Sequence, residues 1–175
     1  VLSQLHEMGA AEAYIDDVGN ILYPCQVKDG VKCPLYNAHI DTVFNQVDTI
    51  TPKIDGNILA APSCGDNSSS VAGLLFIIRM IFALHITLPK GILFAFNVGE
   101  EGLGNLQGMK AIMEVWKDKV SEVVAADCTY DEFVNVAVGS KRYNVAIDAE
   151  GGHSWMHFGN ENAIAIASSI ITKLY

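Results

Sequence analysis

Leu35-Tyr36-Asn37-Ala38-His39-Ile40-Asp41-Thr42-Val43 is an apolar run that closes on a His–x–Asp. Two later runs close on acids in the same way. Ile92-Leu93-Phe94-Ala95-Phe96-Asn97-Val98-Gly99 leads into Glu100-Glu101-Gly102, and Val123-Val124-Ala125-Ala126 leads into Asp127. Gly65-Asp66-Asn67 stands just ahead of a long hydrophobic stretch. Parallel strands, buried on both faces, read as continuous apolar runs, and α/β proteins bind ligands at the carboxyl ends of such strands. Carboxylates and an imidazole collected there converge in space although they are scattered in sequence.

Working outward, residues 3–9 read as the tail of a helix, and 13–25 as strand, turn and strand around Asp16-Asp17-Val18-Gly19-Asn20. His39 and Asp41 end the next strand. Pro52, Gly56-Asn57 and Pro62 predict a short hairpin within 48–63. Ser68 is placed to cap a helix over 69–85 that Pro89 ends. A strand over 91–98, a helix over roughly 105–119 and a strand over 122–126 follow. This alternation is the grammar of an α/β fold, a parallel-rich sheet with flanking helices. Beyond Asp127, residues 133–138 and 143–149 alternate as strands do, and a helix is expected from about Asn160.

Composition narrows the function. The 175 residues carry 20 acidic against 11 basic side chains, a net charge of −9, with no basic run, which argues against nucleic acid and anionic membrane as partners. Half the residues are hydrophobic and 18% charged, enough to bury a core. The one stretch apolar enough to suggest a membrane span, 71–88, has Arg79 at its centre, at a cost of roughly 2.5–3.5 kcal/mol there; a buried core helix fits better. Cys25, Cys33, Cys64 and Cys128 show no metal-binding spacing and read as small buried hydrophobes. With no signal peptide at the start, the expected location is cytoplasmic.

The acids and imidazole suggest a two-metal hydrolase. His39 and Asp41 share a strand face; both could bind metal, or His39 could bind while Asp41 accepts the other ring N–H and orients the imidazole. Asp66 is placed to bridge two cations, with Glu101 and Asp127 each giving one a further carboxylate. Oxygen and imidazole donors suit zinc, manganese or cobalt alike. Gly99 and Gly102 permit a turn that brings both glutamates inward. Glu100 is then the general base for a metal-activated water. Asp48, Asp55, Asp131 and Glu150 read as surface, and His6, His85 and His157 receive no role.

As a set, Asn37-Ala38-His39-Ile40-Asp41-Thr42-Val43, Gly65-Asp66-Asn67, Gly99-Glu100-Glu101-Gly102, Asp127 and Gly152-His153-Ser154 resemble the M-twenty metallopeptidases. That family holds dipeptidases, peptidase T, carboxypeptidase G and aminoacylases, and the resemblance runs along essentially the whole chain. It implies a zinc-exopeptidase-like catalytic domain over 1–140 and, from 141 to 175, the start of a small α+β lid that often forms a homodimer. It implies two zinc ions, His39 and Asp127 on one, Glu101 on the other and Asp66 between them. Asp41 would support His39, Glu100 would be the base, and the Asp66–Asn67 peptide would be cis. His153 would stabilise the substrate oxyanion or carboxylate, commonly in the partner's site. The activity implied is hydrolysis of an amide bond in a small peptide; the alternatives are an N-acyl amino acid amidohydrolase and a silent binding module. The family's last histidine ligand has no counterpart after His157, so this chain is expected to be truncated and weak or inactive alone.

Overall fold

The first apolar run forms β3 (Cys33–His39), the central strand of a three-stranded parallel group. The structure, a computed structural model, describes residues 1–44, 49–127 and 131–174. They divide into two units, Val1–Glu132 and Phe133–Tyr175. Asp48 and Cys128 lie outside the described residues.

In the first unit, α1 (Leu2–Glu7), β1 (Tyr14–Ile15) and β2 (Ile21–Cys25) precede β3. A hairpin, β4 (Lys53–Asp55) and β5 (Ile58–Ala60), turns at Gly56-Asn57 and is followed by α2 (Ser70–Ala83), β6 (Ile92–Asn97), α3 (Gln107–Trp116) and β7 (Val120–Ala125). The sheet order is β1-β2-β6-β3-β7. The β6-β3-β7 group is parallel, whereas β1 and β2 join antiparallel. The sheet is therefore mixed, with its parallel part at the site.

From β3 the chain crosses to β6 on one side, then returns past β3 to β7 on the other. Crossovers of one hand in opposite directions put their helices on opposite faces. Strand alternation shows the result. Tyr23, Ala38, Phe94 and Phe96 meet Leu74, Leu75, Ile78 and Ile81 of α2, while Leu22, Leu35, Leu93 and Ala95 meet Ile112 and Trp116 of α3. The apolar stretch through 64–83 is long enough to cross a membrane by composition, yet its Leu74, Leu75, Ile78 and Ile81 are buried against this sheet. Cys25 and Cys33 are buried as expected, and Cys64 is half-buried.

Several boundaries differ from the sequence reading. Ser68 does not cap α2: it lies within a π-type turn, Cys64–Ser69, and its N–H donates to the Ser63 carbonyl at 3.1 Å. Pro89 does not end that helix either. His85 takes φ +50° and the Ile86 N–H returns to the Ile81 carbonyl at 2.9 Å, a left-handed exit four residues earlier.

The largest departure lies in the second unit. Residues 133–138 and 143–149 form no strand. Phe133, Val136, Val138 and Tyr143 are all more than 70% exposed, and an alternating segment gains stability only when a neighbouring strand and a core take its backbone and its apolar face. The helix expected near Asn160 is α4 (Ala163–Leu174), where the Asn162 Oδ1 accepts from the N–H groups of Ile164 at 2.9 Å and Ala165 at 3.2 Å.

Candidate metal centre

Because β3, β6 and β7 run the same way, their carboxyl ends lie together at the point where the chain reverses its winding. In α/β sheets that crevice is where ligands bind. His39 is the last residue of β3, only 3% exposed. Its Nδ1 lies 3.0 Å from the Asp41 carbonyl, which can only accept, so Nδ1 carries the proton and Nε2 presents a lone pair.

That lone pair faces acids. Asp66 Oδ1 is 2.8 Å from Nε2, Asp127 Oδ1 is 3.9 Å and Glu100 Oε2 is 4.0 Å away. The short Asp66 distance lacks hydrogen-bond geometry, so among the described residues Nε2 is a buried nitrogen with no hydrogen-bond partner. Two groups gather their donor atoms within 4.8 Å of one another: His39 with Asp66 and Asp127, and His39 with Glu100 and Glu101. A buried lone pair aimed at carboxylates is repulsive until a cation lies between them, and this donor set fits a divalent ion of the zinc, manganese or cobalt type.

The electrostatics agree. Burial would lower the His39 pKa, but the hydrogen bond to the Asp41 carbonyl and the charges of Asp127, Glu100 and Asp41 outweigh it and hold the imidazole above its ordinary value. The field that favours a proton on Nε2 favours a metal ion there equally. Glu100 is also held above the usual carboxylate range, first by burial and then by Asp127, Glu101 and Asp41, with His39 opposing them.

Asp41 does more than the sequence reading allowed. Its carboxylate is 3.5 Å from His39 Nδ1, farther than its own carbonyl. The carboxylate oxygens instead accept from the backbone N–H groups of Glu100 at 3.2 Å and Glu101 at 2.9 Å. Asp41 thus steadies His39 with its backbone and the glutamate turn with its side chain. The turn itself needs Gly99, at φ +66°, where a Cβ would stand 2.5 Å from the Gln107 side chain.

The structure therefore brings together His39, Asp41, Asp66, Glu100, Glu101 and Asp127. The Asp66–Asn67 peptide is cis. His153 lies in the second unit, in a turn where its N–H donates to His157 Nδ1 at 3.1 Å and its own Nδ1 accepts from the Trp155 N–H at 3.2 Å. A cavity of about 690 Å³, lined in part by Tyr23, Lys28, Trp116 and Lys119, lies at the amino ends of the parallel strands and includes none of these acids.

Sequence reasoning gave no role to four buried asparagines around the site: Asn20, Asn37, Asn67 and Asn97. Asn20 Oδ1 accepts from Val98 N–H at 3.0 Å, while its amide donates to Asp16 at 2.7 Å and to the Gly108 carbonyl at 3.1 Å. The available signal was a lone polar residue interrupting an apolar run two or three positions before a candidate ligand, as at Asn37 and Asn97.

The model of peptidase family M20/M25/M40 matches residues 35–175. The chain belongs to this family. Among solved structures, it is similar to the aminopeptidase PepT from Bacillus cereus, at 26% identity and a TM-score of 0.56, over 71% of this chain and 35% of that one. It is also similar in fold to a tripeptidase from Staphylococcus aureus, at 17% identity and a TM-score of 0.54, over 74% of this chain and 36% of that one. This member of family M20/M25/M40 thus spans about a third of the length of those two proteins. No curated protein matches it significantly in sequence.

Proposed function

We propose that this chain carries the metal-binding part of an exopeptidase that hydrolyses amide bonds in small peptides. The observation behind this reading is His39 Nε2, buried, unprotonated in the tautomer its other nitrogen dictates, and facing Asp66, Asp127 and Glu100. Asp66 and Asp127 would hold one divalent ion with His39, and Glu101 would contribute to a second. When bound, such ions lower the pKa of water toward neutrality and polarise a carbonyl. Glu100, whose raised pKa brings its proton affinity nearer to neutral pH, takes a proton from water and returns it to the leaving amine. Asp41 keeps Glu100 in place through the backbone. The small-peptide substrate follows from the aminopeptidase and tripeptidase to which the fold is similar, and the second unit would begin a lid through which two copies pair.

The test is a peptidase assay on metal-loaded full-length enzyme carrying this chain, with dipeptides and N-acetyl amino acids in parallel. Glu100→Gln should abolish turnover while leaving bound metal in place. Undiminished turnover in that variant would sink the assignment, and a preference for N-acetyl amino acids would replace peptidase by deacylase.

A further inference from the structure

Three of the buried asparagines each stand beside a candidate ligand. Asn37 is two residues before His39, Asn67 directly follows Asp66, and Asn97 is three residues before Glu100. They are 7%, 2% and 0% exposed. Their hydrogen bonds run from one ligand-bearing segment to the next. Asn67 Nδ2 donates to the Ala126 carbonyl at 2.9 Å, the Ala126 N–H donates to the Asn37 carbonyl at 2.8 Å, and Asn37 Nδ2 donates to Asn97 Oδ1 at 2.9 Å. The Asn97 carbonyl in turn accepts from the Ile40 N–H at 2.8 Å. Every segment that bears a ligand is tied into this one chain of bonds.

We infer that the asparagine layer is a positioning device beneath the metal centre, and that Asn67 sets the separation of Asp66 and Asp127. This rests on the metal-centre reading above. Asn67 follows one of these acids and binds the carbonyl of the residue preceding the other, so one carboxamide spans the join between two chain segments 59 residues apart. The layer is not optimised for stability. Among the described residues, Asn37 Oδ1, Asn67 Oδ1 and Asn97 Nδ2 are buried without hydrogen-bond partners, which an apolar side chain of similar shape would avoid. Such a layer makes physical sense where geometry at the strand ends matters more than stability. Groups supporting a metal's ligands alter affinity about 10–100-fold when changed.

The experiment is a cobalt(II) titration of the whole chain, read by visible absorption against a competing chelator, on wild type and Asn67→Leu. Melting of the metal-free proteins is followed in parallel. Leucine keeps the branched outline, with somewhat greater bulk, and removes the donor. The expected result is cobalt affinity about 10–100-fold weaker with a changed d–d spectrum, and a metal-free melting temperature at or above that of wild type. Equal affinity with an unchanged spectrum would overturn the role of Asn67. Failure of wild type itself to bind cobalt would overturn the metal-centre reading, and this inference with it. Should Asn67→Leu not fold, Asn67→Ala, which removes the donor without adding a charge, carries the same comparison of affinity and spectrum.

Discussion

Replacing Asp41 by asparagine separates the two tasks its side chain and backbone share. The His39 Nδ1 bond goes to the Asp41 carbonyl and survives; what changes is the carboxylate that accepts from Glu100 N–H at 3.2 Å and Glu101 N–H at 2.9 Å. Hydrogen bonds to a charged group contribute about 1.5–3 kcal/mol each, and a neutral one about 1 kcal/mol. Asparagine has one oxygen, so it keeps one bond in neutral form and turns its NH₂ toward the other N–H, a loss of roughly 2–5 kcal/mol. Opposing this, one negative charge leaves a cluster that holds Glu100, Glu101 and Asp127. These groups are partly exposed, so the relief is about 1 kcal/mol or less. The bonds win, and the metal-free variant should be about 2 kcal/mol less stable. For a unit of this size that is a fall of roughly 8 °C in melting temperature, readable by circular dichroism. A melting temperature unchanged or raised would mean that charge repulsion governs this corner and that Asp41 does not anchor the glutamate turn.

Three further outcomes are expected. Glu100 has a raised pKa in the folded chain, so its contribution to stability is best below its unfolded value of about 4.3 and is lost as pH rises through the folded value. Metal-free Glu100→Gln should accordingly be more stable than wild type at about pH 7, the gain vanishing toward about pH 4, as urea unfolding at several pH values would show. Adding a divalent ion at about 100 times its dissociation constant should stabilise the protein by about 2.7 kcal/mol, a gain that chelation reverses and His39→Ala abolishes in a thermal-shift assay. Gly108→Ala would place a Cβ 2.2 Å from the Val98 carbonyl and 2.3 Å from Asn20 Oδ1. Since the backbone must shift, denaturation should report a loss of about 1–3 kcal/mol.

β3 and β6 were legible because burial on both faces leaves an unbroken apolar run, and both are buried along nearly their whole length, whereas β7 reads as an apolar run although it is exposed beyond Val120. Asp41, Glu100, Glu101 and Asp127 were legible because each closes such a run, and Asp66 because it stands just ahead of a long apolar stretch. How β1 and β2 attach was not, since two-residue and five-residue strands carry no record of their partner; their antiparallel pairing appears only in the ladder. Residues 133–149 misled because alternation records what a segment would bury, not whether a neighbour is present to bury it. Asp41's true partners were hidden for another reason: backbone N–H groups are the same at every residue, so no letter in the sequence marks Glu100 and Glu101 as its donors. The asparagines escaped because the same side chain serves on surfaces and in turns, and only depth distinguishes Asn97 from Asn57.

His39 and the acids around it differ in how firmly they are held. β3 is laddered to β6 on one side and β7 on the other, and the imidazole at its end is almost wholly buried, whereas the Asp66 and Asp127 side chains are 51% and 45% exposed. One donor is a fixed post and the others are compliant arms. An ion seated here takes its position from the nitrogen, and the oxygens close to whatever radius it presents. Exchanging one divalent ion for another of somewhat different size would be absorbed by rotation of surface carboxylates, leaving the sheet undisturbed.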